Sequence, residues 1–278
     1  MIASHRALLE RLFRTAVAAA HPASSLRVHL PAPPASGRLV ILAAGKAGAS
    51  MTEVAEQYYL DELGMPASRV SGLAVTRRGY GRPTRLVRII EAGHPIPDAA
   101  GLAAAFETLA LADAAGPDDL VLVLISGGAS ANWIAPAPGL SLTEKQAVTR
   151  ALLGSGASIV EINTVSKHLS RIKGGRLAER AHPARLVTVG ISDVSGDNPE
   201  VIGSGPTVPD STTLADARAL VARYRLEVPD LVTRALADPA NETPKPNDPI
   251  FATFGDNYLK IRLRSHRDVA EAHYRDLL

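Results

Sequence analysis

The segment Leu120-Val-Leu-Val-Leu-Ile-Ser126-Gly127-Gly128-Ala129-Ser130 carries an apolar run straight into two glycines placed between two serines. Glycine tolerates positive φ and close approach, so such a turn can aim several backbone N–H groups at one anion, with hydroxyls as further donors. The same glycines serve equally in a plain tight turn. Gly45-Lys46 ends another apolar run and offers a cation suited to phosphate or carboxylate, although a lone lysine is more often a solvated charge. A third run, Val187-Thr-Val-Gly-Ile-Ser192, ends on Asp193, and Val194-Ser-Gly-Asp197-Asn198 continues as a polar turn. A general base or metal ligand belongs there, and so does a turn cap. Gly203-Ser-Gly205-Pro-Thr207 adds further backbone donors.

Spacing removes two nucleotide motifs. A Walker A loop needs glycine five residues before Gly45 and a hydroxyl residue after the lysine, where Val40 and Ala47 stand. Ala43-Ala-Gly-Lys-Ala-Gly48 also misses the dinucleotide fingerprint. The periodicity of 163–176 predicts a helix with Val165, Leu169 and Ile172 on one face and Lys167 and Arg171 on another. That second face is either a solvated charged surface or a clamp on an anion. His168 reads as a packing or surface residue.

These loops need a scaffold. Runs at 38–44, 70–75, 86–90, 120–125 and 186–191 are strand-like, and helical patterns such as 47–63 and 99–112 lie between them. Near-continuous apolar strands alternating with helices predict an α/β fold, a Rossmann-like three-layer sandwich with a mainly parallel sheet covered on both faces. Ligands of such sheets lie beyond the carboxyl ends of the strands, where the loops above fall. Over residues 4–20, Leu8, Leu9, Leu12, Phe13 and Ala16 recur at helical spacing and predict a stripe packed on the body. Three prolines within Asn241–Pro249 predict a linker after a first domain at 1–240. Beyond it, 258–263 reads as a strand and 267–278 as a helix.

Composition narrows the function class. A net charge of +2 and 4% aromatic residues advertise neither a polybasic nucleic-acid surface nor a base-stacking platform. The absence of cysteine removes disulfides, thiolate metal sites and cysteine nucleophiles, and suits a reducing, cytoplasmic setting. No stretch approaches the roughly 18 uninterrupted apolar residues of a membrane span. The expected partners are small molecules, not nucleic acid or membrane.

Taken together, several segments resemble the glycerate 2-kinase family, whose bacterial members were formerly labelled hydroxypyruvate reductases. They include Ala43-Ala-Gly-Lys-Ala, Glu91-Ala-Gly-His-Pro-Ile-Pro-Asp, Ile125-Ser-Gly-Gly-Ala-Ser-Ala and Lys167-His-Leu-Ser-Arg-Ile-Lys-Gly-Gly-Arg. Ile191-Ser-Asp-Val-Ser-Gly-Asp-Asn-Pro and Gly203-Ser-Gly-Pro-Thr-Val-Pro-Asp continue the series. The resemblance implies a Rossmann-like first domain and transfer of the γ-phosphoryl group of ATP to D-glycerate with Mg²⁺. By it, Lys46 and Asp193 are the catalytic pair. Gly45, Ser126, Gly127, Gly128, Ser130, Lys167 and Gly205 bind substrate or phosphate, and Asp193 with Asp197 meets the metal.

The sequence also departs from the family pattern. Ala44 and Ala129 stand where glycines are usual, and Ser166 where an arginine is usual. Family members continue into a second domain that closes the cleft. The expectation is therefore a first domain followed at 250–278 by the start of a shortened second region. A homodimer or a second-domain chain would complete the site. Two other readings stay open: a non-catalytic anion-binding pseudoenzyme and, third, a hydroxypyruvate reductase.

Overall fold

A computed structural model describes residues 2–253 and 262–265. Its strands are β1 (Leu39–Ala44), β2 (Val70–Arg77), β3 (Arg88–Ala92), β4 (Leu120–Ser126), β5 (Arg185–Ser192) and β6 (Arg262–Ser265). All five pairings are parallel and the order is β3-β2-β1-β4-β5-β6. The helices are α1 (Ile2–Ala20), α2 (Pro22–Ser25), α3 (Gly48–Gln57), α4 (Ala99–Asp113), α5 (Ala129–Asn132) and α6 (Leu142–Gly154). They continue with α7 (Ile159–His168), α8 (Arg176–Ala181), α9 (Leu214–Arg223), α10 (Asp230–Ala237) and α11 (Pro249–Thr253). This is the expected α/β three-layer sandwich.

The two-residue period of β1 shows how both sheet faces are covered. Val40, Leu42 and Ala44 join Leu109 of α4 and Leu177 of α8 on one side. Leu39, Ile41 and Ala43 join Met51 and Ala55 of α3 on the other. All six β1 residues are buried, which is why the run reads as continuously apolar. A third core, which the periodicity does not announce, joins Val148 and Leu152 of α6, Val165 of α7, Leu214 of α9 and Val232 of α10. It stands beside the carboxyl edge of the sheet and supplies one wall of the site.

Several expectations are corrected. The strand foreseen at 86–90 starts two residues later, at Arg88. The buried Glu56 carboxylate accepts the backbone N–H groups of Arg85, Leu86 and Val87, which takes those donors out of any ladder. The stripe on α1 does not pack as expected, for Leu9 and Phe13 are 65% and 70% exposed. Periodicity shows that a face is apolar, not which surface covers it. The helix foreseen over 163–176 stops at His168. From there the chain crosses under the site loops, with Arg171 N–H donating to Ala135 O and Gly174 N–H to Ser204 O.

The proline-rich segment 241–249 is built into the body. Asn241 and Thr243 are buried, and Pro244 O accepts the Asp210 N–H. Of the strand expected at 258–263, residues 258–261 lie outside the described residues, as does the helix expected at 267–278. β6 begins at Arg262 and extends the sheet beside β5.

Candidate functional site

The strand order reverses direction between β1 and β4, so the loops leaving these neighbours diverge to opposite faces and leave a crevice at the carboxyl edge. The turn after β1 holds Gly45 at φ +117°, where its Cα lies so close to Ser126 that a Cβ would sit 2.4 Å from the Ser126 carbonyl oxygen. Only glycine permits both. The two turns are tied together: Lys46 N–H donates to Gly127 O at 2.8 Å and Ala47 N–H to Ser126 Oγ at 2.9 Å. Lys46 thereby projects over the β4 turn and meets Asp193, which follows β5, with Nζ 3.2 Å from Oδ2. Asp193 lies flat on Gly127, where a Cβ would fall 1.9 Å from its carboxylate.

Below this pair opens a cleft of about 450 Å³, lined by Gly127, Gly128, Ser130 and Asp193 on the sheet side and by Asn163 and Ser166 of α7 opposite. His94 also stands on its wall. Burial chiefly, then Lys46 and Arg77, hold its imidazole below the usual histidine range, so it is neutral at pH 7. Lys173 closes the cleft at its inner end, its ammonium donating to Ser130 Oγ at 2.7 Å. Ser130 and Ser204 hydroxyls share a hydrogen bond of 2.7 Å, and Ser204 donates to Asn163 Oδ1 at 2.9 Å.

The structure brings together Lys46, Gly127, Gly128, Ser130 and Asp193. It places the other expected site residues elsewhere. Lys167 is a correction: it points away from the cleft into the body, 3.0 Å from the buried Asp210 and 3.6 Å from Glu200. Gly45 and Ser126 shape and join the loops, and neither lies on the cleft wall. Gly205 is off the wall too, its N–H donating to Ile202 O and its carbonyl accepting Gly175 N–H. Asp197 sits in the turn closed by its own N–H on Val194 O. Among the described residues no three Asp, Glu or His side chains cluster to hold a metal ion. Magnesium, however, keeps its waters and takes one or two carboxylates together with phosphate oxygens, a demand that the exposed Asp193 suits.

Sequence reasoning passed over Lys173, Asn163 and Ser204. Lys173 and Ser204 lie inside quoted motifs and Asn163 opens the helical stretch 163–176, but no local spacing marks any of them as facing a cleft. His168, read as a packing or surface residue, is fully buried between Thr164 O and the Glu242 carboxylate. The departures at Ala44 and Ala129 leave no strain, since neither is among the described residues with positive φ.

Fold and site define an α/β protein of Rossmann-like type with a charged cleft at its topological switch point. Over residues 8–237 the chain matches a family described as a domain of unknown function (DUF4147), and it belongs to that family. It is 48% identical over 242 residues to an Agrobacterium vitis protein provisionally named a hydroxypyruvate reductase, covering 87% of this chain and 53% of that one. It is 44% identical to the D-glycerate 2-kinase of Thermotoga maritima over 75% of this chain and 48% of the relative. A crystal structure of glycerate kinase from Thermotoga maritima superimposes with TM-score 0.78 at 35% identity, over 99% of this chain and 63% of that chain. The chain thus spans about half the length of the curated relatives it matches.

No helix among the described residues is long and apolar enough to cross a membrane.

Proposed function

We propose that this chain acts as a phosphotransferase of the glycerate 2-kinase type, moving the γ-phosphoryl group of ATP to the 2-hydroxyl of D-glycerate to give 2-phosphoglycerate. The observation that carries the reading is the meeting of Lys46 and Asp193 over Gly127 at the switch point. The kinases among the relatives support it. Phosphoryl transfer asks a protein for positioning and charge stabilisation above all. Lys46 steadies the negative charge on the transferring group, and Asp193 orients the substrate hydroxyl and accepts its proton as the new O–P bond forms and ADP leaves. Magnesium, when bound, would neutralise phosphate charge, with Asp193 as the carboxylate of this chain that would hold it.

The test is to incubate the chain with D-glycerate and Mg-ATP and follow ADP release and 2-phosphoglycerate. Glycerate-dependent release of both is expected, and release of neither would end the reading. A second reading is binding without turnover. It is favoured by the exposure of Lys46 and Asp193, 42% and 43%, which leaves their side of the cleft open to water among the described residues. Calorimetry showing glycerate binding with no product would support it. A second copy or a further domain over that side would exclude the water. Oxidation of NADH with hydroxypyruvate would instead support the reductase named among the relatives.

Gly127→Ala separates site geometry from fold. Gly127 is not in the positive-φ region, so alanine is tolerated by the backbone, yet its methyl would displace the Asp193 carboxylate. A shift of about 1 Å in a catalytic group lowers turnover roughly 10²-fold. The expected result is that loss with the melting temperature nearly unchanged, measured by coupled assay and thermal scan.

A further inference from the structure

Lys173 is 3% exposed, and its ammonium is held by the Ser130 hydroxyl at 2.7 Å. Among the described residues no carboxylate pairs with it, and burial alone pushes its pKa down to about 7. The neighbouring Lys145, from α6, is equally enclosed and among the described residues reaches only Ser166 O, at 3.1 Å. Burial, and secondarily Lys173, keep it far below the usual lysine range. A buried cation without a counter-ion is unfavourable unless an anion completes it. The cleft ends on this cation, and Ile134, Ile162 and Val201 make the nearby wall apolar.

We infer that Lys173 and Ser130 form the seat of the substrate's carboxylate, so that a small 2-hydroxy acid lies with its anionic end inward and its hydroxyl toward Lys46 and Asp193. The inference rests on the proposed kinase reading and adds to it the orientation of the acceptor. A single lysine flanked by neutral hydroxyls matches a singly charged carboxylate, whereas the exposed Lys46 stands where a phosphate can enter. Lys173 acts here as a binding residue that touches substrate.

The probes are D-glycerate and its uncharged amide, D-glyceramide, titrated calorimetrically without nucleotide into the full chain and its Lys173→Met variant. The full chain should prefer glycerate by about tenfold or more, the effect of one charge-assisted contact. Lys173→Met should lose that preference while keeping its affinity for glyceramide. A second arm needs no variant. As pH rises above about 7 the amine loses its charge, so glycerate affinity should fall by up to about tenfold per pH unit while glyceramide affinity stays level. The other groups that face this region are Lys145 beside Lys173 and, at the cleft mouth, Lys46, Asp193 and His94. Lys145→Met should leave the glycerate slope in place.

A preference that survives Lys173→Met, equal loss of both probes, a level glycerate affinity above pH 7, or no saturable glycerate binding would overturn the seat. So would Lys173-dependent displacement of glycerate by inorganic phosphate at equal affinity. Lys173-dependent glycerate binding without ADP formation would keep the seat and remove the kinase reading. Turnover with the glycerate preference intact in Lys173→Met would do the reverse.

Discussion

Lys46→Ala is expected to lower glycerate-dependent ADP formation by about 10²–10³-fold, the loss that follows removal of one preorganised donor from a developing charge. The fold should not register the change. Lys46 and Asp193 are each more than two-fifths exposed, and an ion pair so exposed contributes at most about 1 kcal/mol. The backbone contacts that join the two loops, Lys46 N–H to Gly127 O and Ala47 N–H to Ser126 Oγ, do not involve the lysine side chain. Lys46→Arg should recover little, because a planar fork does not reproduce a compact ammonium on this turn. Turnover within a few-fold of the parent chain, in protein of unchanged melting temperature, would take Lys46 out of the chemistry.

Lys167→Met is expected to have the largest effect on stability, about 3–5 kcal/mol, the range for breaking one side of a buried ion pair. Asp210 is fully buried and accepts hydrogen bonds from Lys167 Nζ, Thr212 N–H, the Thr212 hydroxyl and the Thr243 hydroxyl. Burial pushes the Asp210 carboxyl up, but Lys167 and Thr212 together outweigh it and hold it below the usual range. A carboxyl whose folded pKa is depressed contributes stability that is present above its unfolded value, near 3.9, and is lost as pH falls through the folded one. Without Lys167 the folded value rises, so acid unfolding should begin at higher pH.

Urea denaturation across pH measures both effects, and Asp210→Asn in the Lys167→Met background should restore part of the stability. A loss below about 1 kcal/mol would show that the Thr212 and Thr243 donors alone satisfy the buried Asp210 carboxylate. The same result would reopen Lys167 as a ligand.

The contrast between Lys167 and Lys173 locates the limit of local reasoning. Both stand in one short stretch of sequence, and helical spacing favours Lys167 as the exposed cation. The helix ends one residue after Lys167, however, and the following turn carries Lys173 beneath the β4 loop. What each lysine meets, Asp210 or Ser130, lies 43 residues away in the chain. No spacing within the segment contains that information.

The sequence by itself determined the parallel sheet, because strands buried on both faces must be apolar throughout, and that requirement is written in consecutive residues such as Leu39–Ala44 and Leu120–Ser126. It also determined that glycine-bearing turns, Lys46 and Asp193 would fall at the carboxyl edge. The tertiary structure alone decided which lysine is neutralised and which faces the cleft, and that the α1 stripe stays uncovered among the described residues. The reason is physical: periodicity records how a segment divides its apolar and polar faces. The partner of a buried charge is chosen by packing between elements distant in the chain.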